Sequence, residues 1–391
     1  MTDTTSVDVA KYLDLNRYCN RRSPFFPGSE AAGCTDYDHI NGVFLPVRFG
    51  RTIEAEYAAV REGIALYDTT LQTQIAVTGK DAERFCDHVL TRSMKGLAVG
   101  RALYGFLCRG DGVIITDAVI TRISADEFWI SPTIGDVILW LQAIVECREF
   151  DVRVSEADYI SAHLHGIRSR DLLRHLVGDC IDGLKHFRSM RATAAGVDIH
   201  VSRTTASPVL GYEVFVPRSE EPAMKVWNAM TAAGKDYGLV VRGYNDPSDA
   251  IESGMLFFSY WTSFEDNLNP LEFWRSFVDM NGEDFIGKKA LADIARADVS
   301  KRRKLVGLVE VDKDVELPML GDKWDIRDGE RHIGFTRWIV HSHTLDRNIG
   351  YGLLEAAYAD KIGTAVTLVH PQGLKMMAIS EIPIVKPQHE S

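Results

Sequence analysis

Two acids in this chain occupy positions where strands seldom place a charge. Asp117 lies between Ile114-Ile115 and Val119-Ile120, and Glu213 stands in the apolar run Tyr212-Glu213-Val214-Phe215-Val216. Desolvating a carboxylate costs roughly several kcal/mol unless a partner answers the charge. Such an acid is either exposed at a sheet edge or used, to stabilise a building positive charge or to accept paired N–H groups. Periodicity alone favours the edge for Asp117 and solvent for Glu213. His163 and His165, two apart on a strand, share a face. No further ligand is spaced to complete a metal site with them, so they read as structural and no metal is expected. The aromatics crowd between Phe257 and Trp274, where core packing accounts for most; a few could cage a cationic sulfonium or ammonium at about 0.5 to 2 kcal/mol per ring.

The elements that must position these residues are legible around the acids. Residues 102–108 and 113–123 form two strands joined by Arg109-Gly110-Asp111-Gly112, a hairpin turn whose Asp-Gly pair supplies positive φ. Residues 51–66 carry helical spacing, 74–78 a strand, and 82–90 a helix led by Asp81. Further strands and helices alternate to residue 296, which indicates an α+β body. Arg21-Arg22-Ser23-Pro24-Phe25-Phe26-Pro27-Gly28 fixes an extended loop whose rings pack elsewhere, either as a plug or as a pocket wall. The basic run Lys301-Arg302-Arg303-Lys304 marks a boundary, and the short strands beyond it form a small all-β unit.

Several motifs resemble the aminomethyltransferase (glycine cleavage T-protein) family. They are Gly-Arg-Ala-x-Tyr-x-x-Leu-Cys from Gly100, Asp-Gly-x-Ile-x-Asp-x-x-Ile through Asp117, and Ile251-Glu252-Ser253-Gly254-Met255. Asn269-Pro270-Leu271-Glu272 and Asp284-Phe285-Ile286-Gly287-Lys288 also match. The start at Arg21 and the Trp129 to Trp140 stretch are similar to the dimethylsulfoniopropionate demethylase branch. The resemblance implies a folate-binding body over 1–300, built as two interleaved α/β subdomains, and a C-terminal Greek-key β-barrel over 301–391. It implies tetrahydrofolate as co-substrate, with Asp117 beside the reacting nitrogen and Glu213 accepting from the pterin. Tyr104, Phe215 and Arg203 would complete the folate site, and Phe25, Tyr212 and Trp274 the donor site. The chain departs from the pattern at Thr116, which replaces a second acid, at Thr205 to Val209, which replaces a flexible Gly-rich loop, and at Phe273-Trp274-Arg275, which replaces small residues.

Composition narrows the classes. The 391 residues exceed one ordinary core, and 46% hydrophobic with 25% charged residues suits a globular protein. A net charge of −11 disfavours nucleic acid or an anionic membrane as main partner. No membrane span or signal core is evident and the six cysteines form no framework, so a cytoplasmic protein is expected, as monomer or homodimer. The expected function is methyl transfer from a small sulfonium donor to N5 of tetrahydrofolate. The alternatives are O-demethylation of methoxylated aromatics, aminomethyl transfer in glycine cleavage, and folate binding without catalysis.

Overall fold

The computed structural model describes residues 21–133, 137–244, 246–255, 266–273, 275–297, 302–313, 316–317 and 323–386. The hairpin forms as its turn chemistry requires: Gly112 takes φ +82° and connects Ala102–Cys108 to Ile114–Arg122. These strands continue into a five-stranded sheet through Glu127–Pro132, Ile75–Thr78 and Arg153–Glu156. The strand carrying Asp117 is therefore internal, with Phe106 opposite it on one side and Glu127–Pro132 paired on the other. Asp117 is 1% exposed, and the edge reading fails.

A second sheet of six strands runs Ser189–Ala194, Val197–Ser202, Gly211–Pro217, Tyr159–His165, Ile64–Asp68, Leu239–Val241. Side chains alternate across it. Ile64, Leu66, Ala162, Leu164, Tyr212 and Val214 enter one large core beneath helices Ser169–Val177 and Glu220–Gly234. The opposite face carries Tyr67, His163, His165 and Glu213. The helical spacing expected over 51–66 is realised only in Ile53–Glu62. Beyond Gly63 the run becomes Ile64–Asp68, because pairing with strands on both sides outweighs helical periodicity.

The third sheet closes. Strand Arg303–Glu310 pairs with Gly373–Ser380 and also with Arg347–Glu355, which makes a six-stranded barrel with Ile339–Ser342 attached outside the ring. Two members of the basic run at its entrance have acidic partners within the chain. Arg303 Nε bonds Glu272 at 2.7 Å, and Lys304 reaches Asp360 at 3.2 Å. No helix among the described residues is long and apolar enough to cross a membrane.

One buried acid clamps the barrel to the body. The side chain of Glu252 is wholly buried and accepts from Tyr57 Oη at 2.5 Å, Arg61 Nη2 at 2.6 Å and Ser342 Oγ at 2.5 Å. Helix Ile53–Glu62, helix Ser248–Ser253 and the barrel thus meet at one carboxylate. Removing one member of a buried pair strands the other, so Glu252→Ala should cost about 3–5 kcal/mol. Urea unfolding measures it, and a midpoint unchanged from wild type would refute the clamp.

Candidate functional site

Where the sheets meet lies a cavity of about 320 Å³. Tyr67, His163 and His165 of the six-stranded sheet form one wall. Gly243, Tyr244, Asp246, Pro247, Asp249 and Ala250 form another, and Thr133, Ala206 and Trp338 close it from the five-stranded sheet, the 205–209 loop and the barrel. Asp38 comes from the small sheet of Arg21–Arg22, Val43–Arg48 and Asp36–Ile40.

The two acids lie on different sheets, each next to a residue that lines this cavity. Glu213 is directly opposite His163 in register, with its Oε2 3.5 Å from His163 Nε2, and Thr204 donates its hydroxyl to Oε1. Burial raises the Glu213 value, but the His163 ring and the Thr204 hydroxyl overcome it and hold the carboxyl below its usual range. Glu213 is therefore a carboxylate, able to accept N–H groups. On the other side, Tyr104 Oη donates to Asp117 Oδ2 at 2.5 Å. Burial, then the Asp117 charge, pushes the Tyr104 phenol far above its ordinary value, so it keeps its proton for that bond. The Asp117 carbonyl accepts from Thr133 N at 3.3 Å, and Thr133 lines the cavity.

The rest of the wall is acid-rich. Arg242, wholly buried, lies 3.1 Å from Asp246, 3.5 Å from Asp249 and 3.8 Å from Glu56, and it donates to Tyr67 Oη at 2.8 Å. One guanidinium thus answers three carboxylates. Asp249 is pushed up to about 6, by burial first and by Asp246 and Glu252, against the Arg242 charge.

Of the residues expected at the folate site, Glu213 stands directly behind the cavity-lining His163, Asp117 touches the cavity wall through its backbone bond to Thr133 with Tyr104 on its carboxylate, and two others lie away from it. Phe215 shares the face of Glu213 but is covered by Trp129 at 5.6 Å, in a cluster with Ala76 and Ile123. Arg203 donates to the Leu184 carbonyl at 3.2 Å and is not part of the cavity wall. The donor-site expectations need more correction. Phe25 is fully buried against Trp227 at 5.1 Å, so it is the plug and not the wall. Tyr212 alternates onto the core face, where Arg170 Nε reaches its hydroxyl at 3.2 Å. Trp274 lies outside the described residues, as do Phe257, Phe258, Tyr260, Trp261 and Phe264.

Sequence reasoning set His163 and His165 aside as structural, whereas both rings face the cavity. Their register beside Glu213 was the available signal: on neighbouring antiparallel strands, residues directly opposite share a face. Tyr67, Asp249 and Trp338 were missed, since nothing in their local pattern marks them.

Residues 30–281 match the GCVT N-terminal domain, and residues 303–386 match the glycine cleavage T-protein C-terminal barrel domain. The chain belongs to the glycine cleavage T-protein family. This family comprises folate-dependent methyl and aminomethyl transferases. Among its members, the dimethylsulfoniopropionate demethylase of Ruegeria pomeroyi is 28% identical over 361 residues, spanning 92% of this chain and 96% of that one. An aminomethyltransferase of Clostridium botulinum is 31% identical over 347 residues, spanning 87% and 91%. The aminomethyltransferase T of Bartonella henselae, 18% identical, superposes with a TM-score of 0.79 over 95% of this chain and 99% of that one, so this chain has the T-protein fold.

The acid cluster in this T-protein relative makes stability depend on pH. Asp249 holds its proton more tightly when folded than the ordinary value of 3.8, so its contribution is greatest below about pH 4 and is lost as pH rises through about 6. The lost amount is on the order of 3 kcal/mol. Glu213 acts in the opposite sense, its contribution disappearing as pH falls. Urea unfolding from pH 4 to pH 7 should show a shallower decline in Asp249→Asn than in wild type; parallel curves would remove Asp249 from the account.

Proposed function

We propose that this protein is a tetrahydrofolate-dependent demethylase that takes a methyl group from a small sulfonium donor of the dimethylsulfoniopropionate type. The observation that carries this reading is the composition of the cavity wall. Rings from Tyr67, Tyr244 and Trp338 face the space together with the carboxylates of Asp38, Asp246 and Asp249. Ring faces and an excess of acids both attract a cation, at roughly 0.5 to 2 kcal/mol per well-placed ring. The likeness to the Ruegeria pomeroyi demethylase over nearly the whole chain supports the same reading.

The residues behind the cavity fit a reduced pterin. The ionised Glu213 is an acceptor for the adjacent N–H groups of a 2-amino-4-oxo ring, and Asp117, on another sheet, is the acid assigned to N5. Tetrahydrofolate supplies the nucleophilic N5. In the transfer the carbon–sulfur bond breaks, its electron pair leaves with the neutral thioether, and a bond from N5 to the methyl carbon forms. The methylated N5 then carries a positive charge, which Asp117 favours, until its proton is released to solvent as the product leaves. Tyr104 and the surrounding apolar cluster hold that carboxylate in place and exclude water.

An aryl methyl ether makes a different demand, because its leaving oxygen needs a proton. Burial, then the charges of His163 and Arg242, holds His165 far below its ordinary value, so it carries no extra proton to give. Tyr67 is pushed far above its own by burial and retains its proton. A sulfonium needs no such donor, which favours it over a methoxyarene.

The purified chain, incubated with tetrahydrofolate and either dimethylsulfoniopropionate or vanillate, should form 5-methyltetrahydrofolate from the sulfonium alone. Formation from vanillate alone would overturn the reading. Asp117→Asn should lower kcat by about 10²-fold or more with little change in donor KM. Glu213→Ala should instead weaken tetrahydrofolate binding about tenfold or more, as loss of a charged hydrogen bond does. A Glu213→Ala enzyme altered only in donor preference would remove that residue from the folate site.

A further inference from the structure

His165 is a part of the cavity wall that neither the folate contacts nor the acid cluster uses. It is 6% exposed, it faces the cavity, and neither Nδ1 nor Nε2 has a hydrogen-bond partner among the described residues. Folded proteins seldom leave a buried polar group unmet, so a ring with two bare nitrogens on a cavity wall points to a partner that arrives with the ligand. Its neighbours do not supply one. His163 is turned toward Glu213, with its ring 5.4 Å from that of His165, and the Tyr67 hydroxyl accepts from Arg242. The backbone makes room for the ring, since a Cβ at Gly211 would come within 2.9 Å of His165 Cδ2. The imidazole is neutral, for the burial and charges already described, and so presents one N–H donor and one lone pair.

We propose that His165 binds the hydrogen-bonding end of the methyl donor, and that it thereby selects donors carrying such a group beside their cationic methyl centre. The proposal rests on the sulfonium reading above and divides the cavity between two tasks. Tyr67, Tyr244, Trp338 and Asp249 face the cation, and His165 meets the polar end. Glu213 lies opposite His163, two residues along the strand from His165, which separates the pterin contact from the donor contact by roughly 7 Å. The class of ligand that fits is a small zwitterion with a methylated cation at one end and a carboxylate or similar group at the other. A trialkyl sulfonium would leave both ring nitrogens bare.

Calorimetry on the full chain tests this with dimethylsulfoniopropionate, trimethylsulfonium and tetrahydrofolate as probes. Wild type should bind the zwitterion at least roughly tenfold more tightly than trimethylsulfonium. His165→Leu should bring that ratio close to one while tetrahydrofolate affinity stays within about twofold, and His165→Gln, which keeps a donor and an acceptor, should restore most of it. An unchanged ratio in His165→Leu overturns the proposal, as does a loss confined to tetrahydrofolate binding. If wild type binds neither sulfonium, the proposal and the demethylase reading fall together. A ratio that depends on His165, without 5-methyltetrahydrofolate being formed, sinks the demethylase reading alone. Should His165→Leu fail to fold, ¹⁵N-histidine spectra of wild type decide: dimethylsulfoniopropionate must shift the His165 ring nitrogens and trimethylsulfonium must not, and any other pattern overturns the assignment.

Discussion

A carboxylate held inside an apolar sheet demands a partner, and this fold is arranged around meeting that demand several times. Asp117 receives the Tyr104 hydroxyl, Glu213 receives Thr204 with His163 beside it, and Glu252 gathers Tyr57, Arg61 and Ser342. Each answer comes from a different stretch of chain, so each buried acid also fastens two elements together. Desolvation makes an unanswered charge so costly that these pairings constrain how the sheets can dock. The Arg242 cluster is the exception, in which one cation serves Asp246, Asp249 and Glu56. The residual negative charge remains beside the cavity, where it can act on a ligand.

Strand alternation turns that docking into a site. In the six-stranded sheet, Leu164, Tyr212 and Val214 build the core, while their immediate neighbours His163, His165 and Glu213 turn the other way. A single helix could not separate apolar and polar side chains so sharply at adjacent positions. The five-stranded sheet brings Thr133 and Asp117 to the same region, and the barrel contributes Trp338. The barrel therefore does more than cap the body, because the Glu252 clamp holds it where that tryptophan can close the cavity.

The chemical selectivity inferred for the cavity follows from which groups hold protons. Tyr67 is kept protonated and His165 neutral by burial, so the wall offers rings, carboxylates and an uncharged imidazole. Such a surface suits a donor whose leaving group departs without a proton. It suits less well a donor that would leave as an anion, since neither Tyr67 nor His165 is placed to give up a proton.

Much of the architecture was readable along the chain. The Asp-Gly turn with its flanking apolar runs specified the central hairpin, and short strands set between turn residues specified an all-β C-terminal unit, because hairpin turns and alternation are local properties; its barrel form came from the family resemblance. The anomalous acids Asp117 and Glu213 were visible for the same reason, as charges interrupting an apolar pattern. What lay beyond local pattern went astray. Phe25 and Tyr212 were expected at the donor and lie in the core, while His163, His165, Tyr67 and Asp249 come to the cavity. Which face of a strand becomes core and which becomes cavity is set by what packs against it, and that partner lies a hundred residues away for His165, which pairs with Ala65. The order of residues decided which groups could carry chemistry; long-range docking decided which of them share a space.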